Sequence, residues 1–256
     1  MRQKGFTIPE LLIVMIVTSL FTGTILFFTF NYWRFGYLVG ANLGTFVTRL
    51  NAADYLREAI GSSTGFIIQN SIPDTHTNNP DTTIAGNQYW VPSHAIPGNL
   101  SATTAGTTTP VLYFKRYSLD SSGSFILNGT TPYEDEYVMY LNGSTHQLLI
   151  RTLANLSATG NKAKTSCPPA IATTACPSDK VIASDLASID IRYFSRSGNT
   201  IDWTSVFDSS LNTYAGPDQP VVEVLELTLN ISKKAVFQKS NTTSSSTVIR
   251  IALRNA

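Results

Sequence analysis

Residues 4–30 read KGFTIPELLIVMIVTSLFTGTILFFTF, and the fold follows from how this stretch must be solvated. From Phe6 to Phe30 the only charge is Glu10, and Leu11–Phe30 is apolar apart from its threonines, Ser19 and Gly23. At about 1.5 Å per residue, such a helix crosses the roughly 30 Å of a bilayer's hydrocarbon core. Arg2 and Lys4 precede it and the bulk of the chain follows. The positive-inside rule therefore leaves Met1 in the cytoplasm and exports the rest. An ordinary secretory signal has a shorter apolar region ending at a small-residue cleavage site, whereas here the apolar run continues into more helix, so cleavage after the span is not expected.

The segment Lys4-Gly5-Phe6-Thr7-Ile8-Pro9-Glu10, followed at once by Leu11-Leu12-Ile13-Val14, resembles the N-terminus of the type IV pilin superfamily, which includes pilins and the pseudopilins of type II secretion. The resemblance implies a basic leader of residues 1–5, cut after Gly5 by a membrane-embedded prepilin peptidase that also methylates the new N-terminus, Phe6. The family's glutamate at the fifth mature position falls on Glu10. The resemblance further implies a polymerisation helix over 6–30 and partnership with other pilin subunits in a helical filament. Residues Ser188–Ile231 also look like the C-terminal part of the larger minor pilins and of the J-type minor pseudopilin. That likeness lies in the strand Ile189–Phe194, Trp203 in a loop, and Pro220 leading into a long apolar strand.

Glu10 supports this reading on physical grounds. A carboxylate at the head of an apolar helix costs on the order of 3 kcal/mol to hold in lipid unless it is paired or neutralised. Once Lys4 is removed no nearby cation remains, and the α-amino group of a neighbouring subunit's Phe6 would supply one, making the charge a register device for assembly. The bland alternative is an uncleaved signal anchor whose glutamate sits among headgroups, helped by the helix N-terminus.

Beyond the span, Val39, Leu43, Phe46, Leu50, Ala53, Leu56 and Ile60 recur at steps of three and four, so an amphipathic continuation over 31–62 is expected, laying this stripe on a head of residues 63–256. Gly61-Ser62-Ser63 marks its end. Strands are expected at Phe66–Gln69, Val111–Tyr117, Ser124–Leu127, Glu136–Leu141, Gln147–Thr152, Ile189–Phe194, Val221–Ile231 and Thr247–Leu253. In Val221–Ile231, Leu225, Leu227, Leu229 and Ile231 share one face. Asn142-Gly143 signals a hairpin joining the fourth and fifth of these. Pro73–Ala85, Pro92–Pro110 and Leu156–Pro177 read as long loops. The fold class is α+β: one long N-terminal helix, transmembrane and then amphipathic, packed on an antiparallel β-sheet head in the pilin manner.

Cys167 and Cys176 are too few for a structural zinc site, and in an exported loop a disulfide is the natural reading, with two free thiols as the alternative. His76, His94 and His146 are scattered without partner spacing, so none is a credible base. Asp74, Asn78, Asn79 and Asp81 crowd one loop, and Glu134, Asp135 and Glu136 another. Calcium is conceivable at either, but the twelve-residue calcium-loop spacing is missing, so these are read as turn formers and no metal is assigned. No P-loop, dinucleotide fingerprint or Gly-X-Ser-X-Gly elbow occurs, and neither catalysis nor a cofactor is expected.

Lysine plus arginine is 18 against 17 for aspartate plus glutamate, which leaves no field to gather nucleic acid. The function expected is that of a minor pilin, a structural subunit of a type IV pilus or related filament. Minor pseudopilin of a type II secretion system and major pilin are the alternatives; size speaks against the major subunit. A signal-anchored surface binding protein is the reading from another class. The chain is expected as a single-pass protein of the cytoplasmic membrane with its head outside, then in an extracellular pilus or periplasmic pseudopilus.

Overall fold

The computed structural model describes residues 7–66, 71–74, 76, 82–84, 86–91, 98–102, 105–106, 108–195, 197–201, 207–208, 213–214, 224–234 and 242–252. Its elements are the helix α1 (Ile8–Gly61) and seventeen strands. These are β1 (Gly65–Phe66), β2 (Ile72–Pro73), β3 (Thr82–Ile84), β4 (Asn87–Trp90), β5 (Gly98–Ser101), β6 (Thr109–Tyr117), β7 (Leu127–Asn128), β8 (Thr131–Pro132), β9 (Glu134–Asn142), β10 (Gln147–Leu153), β11 (Lys180–Ala183), β12 (Leu186–Phe194), β13 (Thr200–Ile201), β14 (Phe207–Asp208), β15 (Thr213–Tyr214), β16 (Val224–Lys234) and β17 (Thr242–Ala252). By internal packing the chain divides into one unit of Met1–Gly44 with Lys233–Thr243 and another of Thr45–Ser232 with Ser244–Ala256.

The helix is continuous over 54 residues. Proline at position 9 falls in its first turn, where the missing N–H has no partner to lose. The hydroxyls that interrupt the apolar run bond inward to the helix itself: Thr18 donates to the Val14 carbonyl (2.7 Å), Thr24 to Leu20 (2.8 Å) and Thr29 to Ile25 (2.9 Å). In hydrocarbon this satisfies each hydroxyl without water. At the other end Ser62 donates both its N–H (3.2 Å) and its hydroxyl (2.7 Å) to the Glu58 carbonyl and closes the last turn.

Two five-stranded antiparallel sheets make the head. The first runs β1-β6-β9-β10-β11; the second runs β13-β12-β16-β17, with β5 also paired to β12. The α+β pilin-like class read from the sequence is the architecture found: a long apolar N-terminal helix packed on antiparallel sheets. The main core joins Ala52, Leu56 and Ile60 of α1 to Leu112, Phe114, Met139 and Ile150 of the first sheet and Ile189, Leu227 and Leu229 of the second. Leu225, Leu227, Leu229 and Ile231 are buried to 1 % exposure or less, as their alternation predicts. Each contributes about 1.5–3 kcal/mol by leaving water. The opposite face of the first sheet is covered as well. Ile72 and Trp90, from the small sheet β2-β4-β3, pack on Tyr113, Val138, Tyr140 and Leu149 there.

Several expectations need correction. Of the expected stripe the helix buries Ala53, Leu56 and Ile60, but Val39, Leu43, Phe46 and Leu50 are 45–60 % exposed. It buries Thr45, Ala52, Ala53, Leu56, Ala59 and Ile60, a face lying roughly a third of a turn away at 3.6 residues per turn. Small alanines let the helix backbone approach the sheets, so the face with the largest apolar side chains is not the contact face. Strands β3 and β5 lie inside segments read as loops, and Glu134–Glu136 begins a strand where a loop was expected. Phe66 is in β1, but residues 67–69 lie outside the described residues, as do Trp203 and Pro220. Ser124–Leu127 forms only an isolated bridge through Phe125 and the start of β7.

The β9–β10 hairpin pairs Asn142 with Gln147, so its turn is four residues long. Asn142 Oδ1 accepts from the backbone N–H of Ser144 (3.0 Å) and Thr145 (3.1 Å), and the left-handed residue is His146, with φ 52°. Gly143 is required for a different reason, close approach: a Cβ there would run into the Ala105 carbonyl.

Tyr137 stacks on Phe114 at 5.2 Å between centroids. Burial first, then the neighbouring Asp135 charge, pushes its hydroxyl up to about 12 from 10.0. The unfolded chain releases this proton near pH 10 and the folded chain holds it, so stability is full below pH 10 and falls as pH rises to about 12. The loss is about 3 kcal/mol, and burial moves the Tyr140 hydroxyl in the same direction. Urea melts across this range should show the decline, and Tyr137→Phe should shallow it. An unchanged slope in the variant would assign the decline elsewhere.

Candidate functional site

The head of α1 is built by four residues. Thr7 precedes the helix, and both its N–H (2.9 Å) and its hydroxyl (2.8 Å) donate to Oε2 of Glu10. Glu10 is thus the acidic residue of the first turn, three places after Thr7, and it closes back on the chain entering the helix. The same carboxylate also complements the positive end of the helix dipole. The sequence reading considered only a cationic partner for Glu10; Thr7 supplies two neutral donors. The pattern threonine-x-x-glutamate was the available signal. Gly5 and Phe6 lie outside the described residues. From Ile8 the helix presents an apolar surface, with Ile8, Leu11, Leu12, Ile13, Leu20 and Phe21 all more than half exposed. Its most apolar window has a mean hydropathy of 2.5, long and apolar enough to cross a membrane.

A second constellation lies in the head and was not foreseen. Arg151, on β10, is 1 % exposed, and so is Asp74; Asp179 is 3 % exposed. The guanidinium Nε stands 3.3 Å from Asp74 Oδ2, and Nη1 stands 3.2 Å from Asp179 Oδ1 while also donating to the Ser166 carbonyl. Asp74 accepts from the Trp90 indole (2.8 Å) and the His76 N–H (3.0 Å). Asp179 accepts from the Tyr140 hydroxyl (2.6 Å) and the Ser166 hydroxyl (2.6 Å). Burial pushes the Asp179 carboxyl above its ordinary value, against the pull of Arg151 and of these hydrogen bonds. Every oxygen of the two carboxylates is thus engaged, the condition under which buried charge is tolerated.

The remaining sequence candidates do not converge. Asp74 belongs to this buried cluster and is no loop ligand, and Asn78, Asn79, Asp81 and His94 lie outside the described residues. Asp135 is buried and accepts from Ser118 (2.9 Å), Asn155 N–H (2.8 Å) and Asn161 (2.7 Å), while Glu134, on the other face of β9, meets Thr64 (2.6 Å) and Lys115 (3.4 Å). Among the described residues no group of three or more His, Cys, Asp or Glu side chains could hold a metal ion. Cys167 and Cys176 are joined, with Cα atoms 5.6 Å apart, and both are buried beneath a loop whose residues 169–175 are exposed.

Residues 1–26 match the family described as the prokaryotic N-terminal methylation motif. No curated protein matches the chain. With α1 behind it, that N-terminal motif supports a place in the type IV pilin superfamily as a pilin-like or pseudopilin-like subunit, fits a membrane anchor, and implies processing by prepilin peptidase and assembly with pilin subunits in general.

Proposed function

We propose that this chain is a minor pilin, a structural and non-catalytic subunit that enters a filament through its N-terminal helix and carries a large head on it. The observation that carries the reading is Glu10, seated at the head of an uninterrupted apolar helix inside the methylation motif. Before assembly the helix holds the subunit in the cytoplasmic membrane with the head outside, and the assembled fibre is extracellular. The size and loop content of the head favour a minor place over the fibre's bulk. Protein recovered from sheared filaments should begin at an N-methylated Phe6, following a cut after Gly5. Intact-mass analysis finding Met1 retained, or a cut beyond the span, would refute the processing. Quantitative mass spectrometry of the same fibres should find this chain far below the main subunit.

A further inference from the structure

The segment that neutralises Arg151 runs from Thr159 into β11, whose Lys180 and Val181 pair with Ile150 and Leu149 of β10. From Thr159 to Asp179, ahead of β11, only Ser166, Cys167, Cys176 and Asp179 are buried, so the cystine is the apolar anchor of that stretch. The bridge clamps both ends of it. Ser166 directly precedes Cys167, and Asp179 follows shortly after Cys176. Backbone bonds fix these ends together, from Cys167 N–H to the Pro177 carbonyl (2.8 Å) and from Asp179 N–H to the Cys167 carbonyl (2.7 Å). Ser166 is tied to β10 in both directions, donating to the Thr152 carbonyl (2.9 Å) and accepting from the Thr152 N–H through its hydroxyl (2.9 Å).

We propose that the Cys167–Cys176 bridge is an oxidative latch on the buried charge of the head: it holds Ser166 and Asp179 on Arg151, and opening it releases them together. Closing the latch removes two protons and two electrons from the two thiols and passes them to a disulfide oxidant, which is reduced to two thiols in turn. In the reduced chain the thiols no longer tie the two ends together, and what holds Ser166 and Asp179 ahead of β11 is polar contacts, each of which water can replace. The guanidinium then loses one of its two carboxylates and its carbonyl, and a buried charge left with Asp74 alone draws water in behind it. The outer face of the first sheet, with Trp90 and Asp74 on the far side of Arg151, loosens in consequence. Packing is completed only where an oxidant reaches the head.

The test is amide hydrogen exchange on the full chain in detergent, oxidised and then reduced with a phosphine. Reduction should accelerate exchange roughly tenfold or more at the Thr152 amide and the Trp90 indole N–H as well as within residues 167–176. Acceleration confined to 168–176, with Thr152 and Trp90 unchanged, would overturn the latch and leave a local loop clip. A second arm uses Arg151→Met combined with Asp179→Asn, which removes the charge the latch protects. The drop in melting temperature on reduction should shrink to less than half of its wild-type value, and an undiminished drop overturns the coupling. Should that variant fail to fold, the exchange measurement on the native sequence decides alone.

Discussion

Arg151→Ala is expected to cost the head roughly 3–5 kcal/mol, the range seen when one partner of a buried ion pair is removed and the other is left without compensation. Asp74 and Asp179 would remain almost fully buried with only neutral donors: Trp90 and His76 N–H for one, Tyr140 and Ser166 for the other. A domain with about 5–15 kcal/mol in total loses a large share of its stability at such a step. Arg192→Ala is the matched control. Arg192 reaches Asp190 at 3.1 Å, but its side chain is 60 % exposed, and pairs of that kind are worth about 0–1 kcal/mol. Urea denaturation of both variants in the same detergent would separate them. A loss for Arg151→Ala no larger than that for Arg192→Ala would mean that water already reaches the cluster.

Glu10→Ala should leave the protein inserted in the membrane and sharply reduce its recovery in filaments. Two contributions are lost together, the cap on Thr7, worth about 0.5–2 kcal/mol, and the charge that we propose meets a neighbouring Phe6 amine, worth on the order of 3 kcal/mol in lipid. Glu10→Gln separates them. Its amide oxygen can still accept from Thr7, but it brings no charge to the amine. If pairing governs assembly, both variants fall by on the order of a hundredfold relative to wild type, since each 1.4 kcal/mol is a factor of ten. If capping governs it, Glu10→Gln assembles nearly normally and Thr7→Val fails instead. Membrane fractionation beside recovery in sheared filaments reads both outcomes.

The parts legible in the sequence are those decided locally. A charge inside twenty apolar residues can be read without knowing the rest of the chain, and so can the alternation that buries Leu225, Leu227, Leu229 and Ile231. What escaped reading depends on what covers what. Gln147–Thr152 reads as a strand, yet Arg151 within it looks like an outward residue, because no local signal shows that Ile72 and Trp90 roof that face. Asp74, Arg151 and Asp179 meet only because the small sheet β2-β4-β3 covers that face of β10 and the bridged segment returns to it. Strand β5, Gly98–Ser101, is four residues long and holds no β-branched residue to mark it by composition. β5 exists because the edge of β12 offers it backbone partners, from Ser188↔Ser101 to Ile191↔Gly98. The helix misreading has the same origin: the size of Phe46 and Leu50 outweighed the closeness that Ala52 and Ala59 permit.

The inward bonds of Thr18, Thr24 and Thr29 bear on how α1 behaves under load. Each of the carbonyls of Val14, Leu20 and Ile25 sits beside a second donor, so a helix pulled lengthwise can lose an N–H from one of these carbonyls while the hydroxyl keeps its place on it. A proline would give the segment a fixed joint. These threonines instead leave three acceptors, spread over successive turns, still served by a hydroxyl where an N–H bond lengthens.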